Sequence, residues 1–174
     1  QGALGVSEAE EPHCTFVENA LAKVRHASRA TGLPALADDS GVCVSALNGE
    51  PGVHSARYAA ASNVAGREEQ DRHNNNKLLH ALAGMADRRA HYCCVIALVR
   101  HADDPQPLLF EAEWHGEILD APRGEGGFGY DPLFHIPGLG KTGAELPLAE
   151  KNRVSHRGRA LALLVDRLRA MSTG

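Results

Sequence analysis

Two extended apolar runs constrain this chain most. Residues 91–100 are dominated by strand-compatible side chains, and 108–119 is mostly extended in character. Asp103-Asp104-Pro105 supplies a turn between them, so the pair reads as an antiparallel hairpin. Helix-periodic segments stand on both sides of it. Thr15-Phe16-Val17-Glu18 has the form of a capping box, and Phe16, Ala20, Val24 and Ala27 recur at helical spacing before Gly32 and Pro34. That predicts a helix over 16–30. Leu78, Leu79 and Leu82 mark a second helix from Asn75 to Leu82, after a polar loop or helix entry over 63–71. Leu161, Leu164, Val165 and Leu168 give an apolar face to a last helix that starts near Ser155 or Gly158. Apolar segments on either side of Asp38-Asp39-Ser40-Gly41 read as strand, acidic turn and strand, with Asn48-Gly49 as the next turn. Pro122 to Gly129 is dense in glycine and reads as a loop. This order favours an α/β fold, a mixed central sheet flanked by helices, within a single domain of 174 residues.

Composition removes several function classes. The net charge of -4 gives no global attraction to nucleic acid or to an anionic membrane. No apolar run approaches the length of a membrane span. Gln1 to Glu11 is acidic and lacks the order of a secretory signal. Four cysteines, Cys14, Cys43, Cys93 and Cys94, include no CxxC pair. They read as reduced thiols of a cytoplasmic protein and argue against a zinc site.

Three stretches carry candidate chemistry. Asp38-Asp39-Ser40-Gly41 places two carboxylates side by side. Burying them requires cations or hydrogen bonds, which magnesium supplies through carboxylate and water oxygens; the alternative is a solvated Asx-type turn. Glu8, Glu10 and Glu11 offer a second magnesium ligand near Asp39 or a plain acidic surface, and Lys23 is either a phosphate contact or a surface charge. Gly124-Glu125-Gly126-Gly127-Phe128-Gly129-Tyr130-Asp131-Pro132 lets backbone approach a ligand closely. Phe128 or Tyr130 is suited to stack on a base, with Asp131 accepting from a base edge, or both rings plug the core. Lys151, Arg153, His156, Arg157 and Arg159 form a late basic cluster around Ser155, a candidate helix cap. Its donors suit the acceptor at position six of an oxopurine better than the amino group of adenine.

The chain resembles the inosine triphosphate pyrophosphatase family. The matching motifs are Thr15-Phe16-Val17-Glu18-Asn19-Ala20, Ala37-Asp38-Asp39-Ser40-Gly41, Pro51-Gly52-Val53-His54-Ser55-Ala56-Arg57-Tyr58, Gly126-Gly127-Phe128-Gly129-Tyr130-Asp131-Pro132 and Ser155-His156-Arg157-Gly158, spread over nearly the whole chain. The resemblance implies hydrolysis of ITP, dITP and XTP to the monophosphate and pyrophosphate by a magnesium-dependent homodimer that cleanses the nucleotide pool. It implies Asp39 as proton acceptor and Glu11 as metal ligand, with Asp39 also available to the metal. Lys23 and Ser40 match phosphate-side positions. Phe128 matches the base-stacking position, Gly129, Tyr130 and Asp131 complete its loop, and Lys151, His156 and Arg157 match base-recognition and pocket positions. It further implies a strand, a phosphate-binding Thr/Ser-Gly-Asn-x-x-Lys turn and a helix ahead of Gln1, so the domain is expected to be N-terminally incomplete. That expectation motivates a second reading, a catalytically silent homodimeric nucleotide-binding protein. A generic nucleic-acid-binding domain is a third reading, which the acidic balance opposes.

Overall fold

A computed structural model describes residues 5–7, 9–59 and 65–172. Glu8 of the acidic cluster and Asn63 at the start of the polar stretch lie outside the described residues. The main elements are α1 (Phe16–Thr31), β1 (Ala35–Val44), α2 (Arg67–Ala81), β2 (Arg89–Val99), β3 (Leu108–Ile118), β4 (Phe134–Ile136), β5 (Lys141–Thr142), α3 (Leu148–Val154) and α4 (His156–Ser172). The five strands are hydrogen-bonded in the order β1-β2-β3-β4-β5. β3 pairs antiparallel with β4, and β4 with β5. β2 and β3 are neighbours joined through 100–107, a connection too short for a parallel crossover, so the expected hairpin is present. Asp104 shapes its turn by accepting from the Arg100 and Gln106 N–H groups at 3.0 and 2.9 Å.

The chain divides into two compact units. Among described residues, the first comprises 5–40, 94–112 and 156–172. Here Ala160 and Leu164 of α4 pack with Cys94, Ile96 and Leu98 of β2 and Phe110 and Ala112 of β3. α1 begins where the capping box predicts: Thr15 Oγ1 accepts the Glu18 N–H at 3.3 Å and donates to Glu18 Oε2 at 2.5 Å. It ends at Gly32.

The second unit, Gly41–Cys93 and Glu113–Ser155, holds the larger core. Val42, Val44, Tyr92, Trp114 and Phe134 alternate inward from their strands, and Leu78 and Leu82 join them from the α2 region. Phe134 meets Tyr92 edge-on at 4.7 Å and Trp114 at 5.2 Å between ring centroids. Burying a ring of this size contributes about 1.5–3 kcal/mol. The Pro51–Tyr58 motif forms a short 3-10 segment whose Ser55 is a hub. Ser55 Oγ accepts from Val42 N–H at 2.9 Å, and its carbonyl accepts from Tyr130 Oη and Asn74 Nδ2.

Four local expectations change. Asp38-Asp39-Ser40-Gly41 is not a turn between strands but the middle of the continuous strand β1. The polar stretch is helix entry rather than loop from Arg67 on, so α2 starts eight residues before the predicted Asn75, its first two turns satisfying polar side chains rather than burying apolar ones. A helix over 148–154 was not expected, and Ser155 is its C-cap, with extended backbone and its N–H donated to Lys151 O. On α4, Leu161, Val165 and Leu168 are exposed, and the buried stripe is His156, Ala160 and Leu164.

Candidate active site

The continuity of β1 determines how its two carboxylates are used. Successive side chains of a strand point to opposite faces, so Asp38 and Ser40 share one face and Asp39 takes the other. Arg157, in the first turn of α4, serves the first face. Its Nη2 donates to Asp38 Oδ2 and to Ser40 Oγ, both at 2.9 Å, and its Nε reaches Asp38 Oδ2 at 3.2 Å. Cys94 Sγ lies 4.0 Å from the same oxygen. Burial, the Asp38 charge and the Asp39 charge push the Cys94 thiol up to about 12 despite Arg157, so it stays protonated.

Lys23 of α1 serves the other face. Its ammonium donates to Asp39 Oδ1 at 2.7 Å and to the Asp38 carbonyl at 3.3 Å, and pairs with Glu11 Oε1 at 2.5 Å. Burial alone would lower the Lys23 pKa, but its hydrogen bonds and charge attraction to Asp39 and Glu11 outweigh that and raise it. Asp39 is 7% exposed, and burial raises its carboxyl above the ordinary value; Lys23 opposes the rise and the Glu11 charge adds to it. Asp39 Oδ2 is buried with no hydrogen-bond partner. A buried carboxylate oxygen without a partner is costly in a folded protein, which makes Asp39 a candidate for function. The carboxylates of Glu11 and Asp39 already flank a cation, and their hard oxygens fit a magnesium-type ion, which takes one or two protein carboxylates and completes its shell with water and phosphate oxygens. Among the described residues no cluster of three or more His, Cys, Asp or Glu forms a closed metal cage.

The second constellation is a loop in the second unit. Its two aromatics part company. Tyr130 is 2% exposed, belongs to the core, and donates its hydroxyl to Ser55 O at 2.9 Å, whereas Phe128 is 49% exposed. Lys151 Nζ and the Arg67 guanidinium lie over the Phe128 ring, 4.7 and 4.9 Å from its centroid. Asp131, 3% exposed, ties the loop together by accepting from Phe128 N–H at 2.7 Å and from Lys151 Nζ in a short ion pair. A Cβ on Gly127 would fall 2.2 Å from Asp131 Oδ2, and one on Gly143 2.8 Å from Oδ1, so bare backbone on two sides makes room for this carboxylate. Gly127 also has a φ of +77°.

Apart from His156, the expected catalytic and substrate-side residues fall into two groups. Lys23, Asp39, Ser40 and Arg157 converge with Glu11 in the first unit. Phe128, Gly129, Asp131 and Lys151 converge in the second, with Tyr130 beneath them in its core. The late basic cluster is thus divided: Lys151 goes to the aromatic loop and Arg157 to β1. His156 is buried at the start of α4. Sequence reasoning missed Arg67, Asp71 and Asn75. Their spacing of four was the available signal, obscured by the polar composition of the segment.

Known proteins provide an independent comparison. The sequence model of the Ham1 family matches residues 1–167. A dITP/XTP pyrophosphatase of Ralstonia nicotianae is 67% identical over 169 residues, 97% of this chain and 83% of its own length. One of Nitrosomonas europaea is 65% identical over 168 residues, covering 97% of this chain and 80% of the relative. Among solved structures, a HAM1 protein from Coxiella burnetii superposes with a TM-score of 0.90 at 48% identity, covering 97% of this chain and 84% of that one.

Proposed function

The chain belongs to the Ham1 family, and from that membership we propose that it hydrolyses non-standard purine nucleoside triphosphates, dITP, ITP and XTP, to the monophosphate and pyrophosphate. The observation that carries this reading is the buried Asp39, with one oxygen on Lys23 and the other unpartnered, in a chain 67% identical to a dITP/XTP pyrophosphatase. The silent-binder reading is not favoured by such relatives.

Asp39 is the proton acceptor. It takes a proton from the water that splits the α–β phosphoanhydride, giving the monophosphate, pyrophosphate and a proton. Its raised pKa makes it a better base than an ordinary carboxylate. Glu11 and Asp39 would hold a divalent cation, magnesium by the chemistry of the donors, and that ion supplies charge neutralisation to the phosphates. Lys23 adds a fixed positive charge beside them, and Ser40, held by Arg157, presents its hydroxyl on the opposite face of β1. In the second unit Phe128 is the platform for the purine, and Lys151 supplies a donor for its oxo group. The four free thiols fit a cytoplasmic setting, and no helix among the described residues is long and apolar enough to cross a membrane. We place the active form as a homodimer acting on free nucleotides rather than on nucleic acid.

The deciding experiment is product identification after incubation with ITP and magnesium. IMP with pyrophosphate is the expected outcome, and IDP with phosphate would place cleavage elsewhere. ITP and XTP should exceed ATP and GTP in kcat/KM; equal values for all four would remove the proposed specificity.

A further inference from the structure

The face that α2 turns toward the aromatic loop has no assigned role. Arg67, Asp71 and Asn75 stand four residues apart, one above the next along the helix. Between them they contact two consecutive residues of the loop, Phe128 and Gly129. Arg67 lies over the Phe128 ring. Asp71 Oδ2 accepts the Gly129 N–H at 2.7 Å, and Asn75 Nδ2 donates to the Gly129 carbonyl at 2.9 Å. The N–H belongs to the peptide between Phe128 and Gly129, and the carbonyl to the peptide between Gly129 and Tyr130. The two bonds therefore hold the peptide planes on both sides of a residue whose φ is +62°.

Glycine is the residue with most freedom to lose here, and an added Cβ would meet nothing within 4 Å. Neighbouring bulk does not restrain Gly129; the polar clamp does. Phe128 is held on its other side by the bond from its N–H to Asp131. Phe128 is half exposed, so packing restrains its side chain over part of its surface only. The clamp also carries a cost, because Asn75 Oδ1 is buried with no hydrogen-bond partner. An apolar side chain would avoid that cost but would leave the Gly129 carbonyl without this donor.

We propose that Asp71 and Asn75 are positioning residues for purine recognition, setting the orientation of the Phe128 platform through Gly129, with Arg67 steadying the ring. This rests on the reading of Phe128 as the base platform. Pre-organisation of a stacking surface acts on binding and leaves the proton transfer at Asp39 alone.

The test compares Asp71→Ala, Asp71→Asn and Asn75→Ala with Glu68→Gln, an exposed change on the same helix, in the full chain with ITP and magnesium. Asp71→Ala and Asn75→Ala should raise KM about tenfold, the effect of one lost hydrogen bond to a positioned group, with kcat within about twofold of the unmodified enzyme. Asp71→Asn keeps an acceptor oxygen and should recover most of the loss. Calorimetric binding of IMP should weaken in parallel, while Glu68→Gln changes neither. Unchanged KM and IMP affinity overturns the proposal. So does a fall in kcat that follows a lowered melting temperature with KM intact, because that is a structural role. If the unmodified protein binds IMP but releases no pyrophosphate, the hydrolase reading fails, and the IMP affinities of the variants still decide the clamp. Absence of both turnover and IMP binding overturns the two together.

Discussion

The β1 constellation and the aromatic loop solve different problems with different materials. Around β1 the working groups are long charged side chains, Lys23, Glu11 and Arg157, gathered on two adjacent carboxylates by strand alternation. One oxygen of Asp39 is left without a partner. In the loop the working parts are backbone, glycine and a ring, and its one buried carboxylate, Asp131, takes both Phe128 N–H and Lys151 on Oδ2. The first region leaves a carboxylate oxygen open, as the proposed base requires, whereas the second uses its polar groups to hold a shape. Changes around β1 should therefore act on chemistry, and changes in the loop on placement and stability.

Asp39→Asn gives the largest expected effect. It keeps the size of the side chain but removes the base and a negative ligand, so kcat should fall by roughly 10²–10⁴-fold. Steady-state kinetics at saturating magnesium checks this, and near-normal turnover would break the assignment of chemistry to this region. Asp131→Ala is the matching change in the loop. It leaves Lys151, whose side chain is 12% exposed, without its buried partner, and should cost about 3 kcal/mol in chemical denaturation. Phe128→Ala should weaken purine binding by roughly 1–3 kcal/mol through lost stacking. The loss should appear in KM and in IMP affinity, with kcat little altered. A fall in kcat alone would erase the distinction between the regions. Glu11→Gln should raise the magnesium concentration needed for half-maximal turnover by roughly tenfold and leave IMP affinity unchanged. Identical metal titrations for both proteins would remove Glu11 from the metal site.

The two regions also differed in how far the sequence disclosed them. The hairpin and α1 were legible because apolar periodicity and a capping box are local signals. Phe128 and Asp131 stood out because glycine density around an aromatic is local too. The course of β1 through Asp38-Asp39-Ser40-Gly41 was not legible. Two adjacent aspartates favour a turn unless cations satisfy them, and those cations arrive from Lys23, sixteen residues away, and Arg157, more than a hundred away. Long-range pairing overrode local propensity there. The same holds for α2, whose Asn74 is buried by bonds to Ser55, Ala56 and Ala59 that no local pattern announces. Lys151 and Arg157 are close in sequence and read as one cluster, yet each pairs with a carboxylate of a different compact unit.

The smallest effect tests whether Asp39 is held at a cost. Burial, reinforced by the Glu11 charge and opposed by Lys23, raises its folded-state pKa above the ordinary 3.8. A carboxyl shifted in this direction favours the fold when protonated. Its contribution is fully present below the unfolded value and is lost as pH rises through the raised folded value. Above that raised value the ionised group therefore weighs against folding. Lys23 opposes the rise without reversing it, because the shift of Asp39 remains upward with the lysine in place. Asp39→Asn should thus melt at a higher temperature than the unmodified protein at pH 7, and the difference should shrink as pH falls toward 3.8. Thermal scans across that range, without nucleotide or metal, measure it. The turnover of the unmodified enzyme should lose activity over the same span, as the base becomes protonated. A variant that is less stable at pH 7, or a gap that widens in acid, would show that Lys23 more than compensates for burial, and the β1 region would then resemble the loop in holding its carboxylate by a stabilising lysine pair.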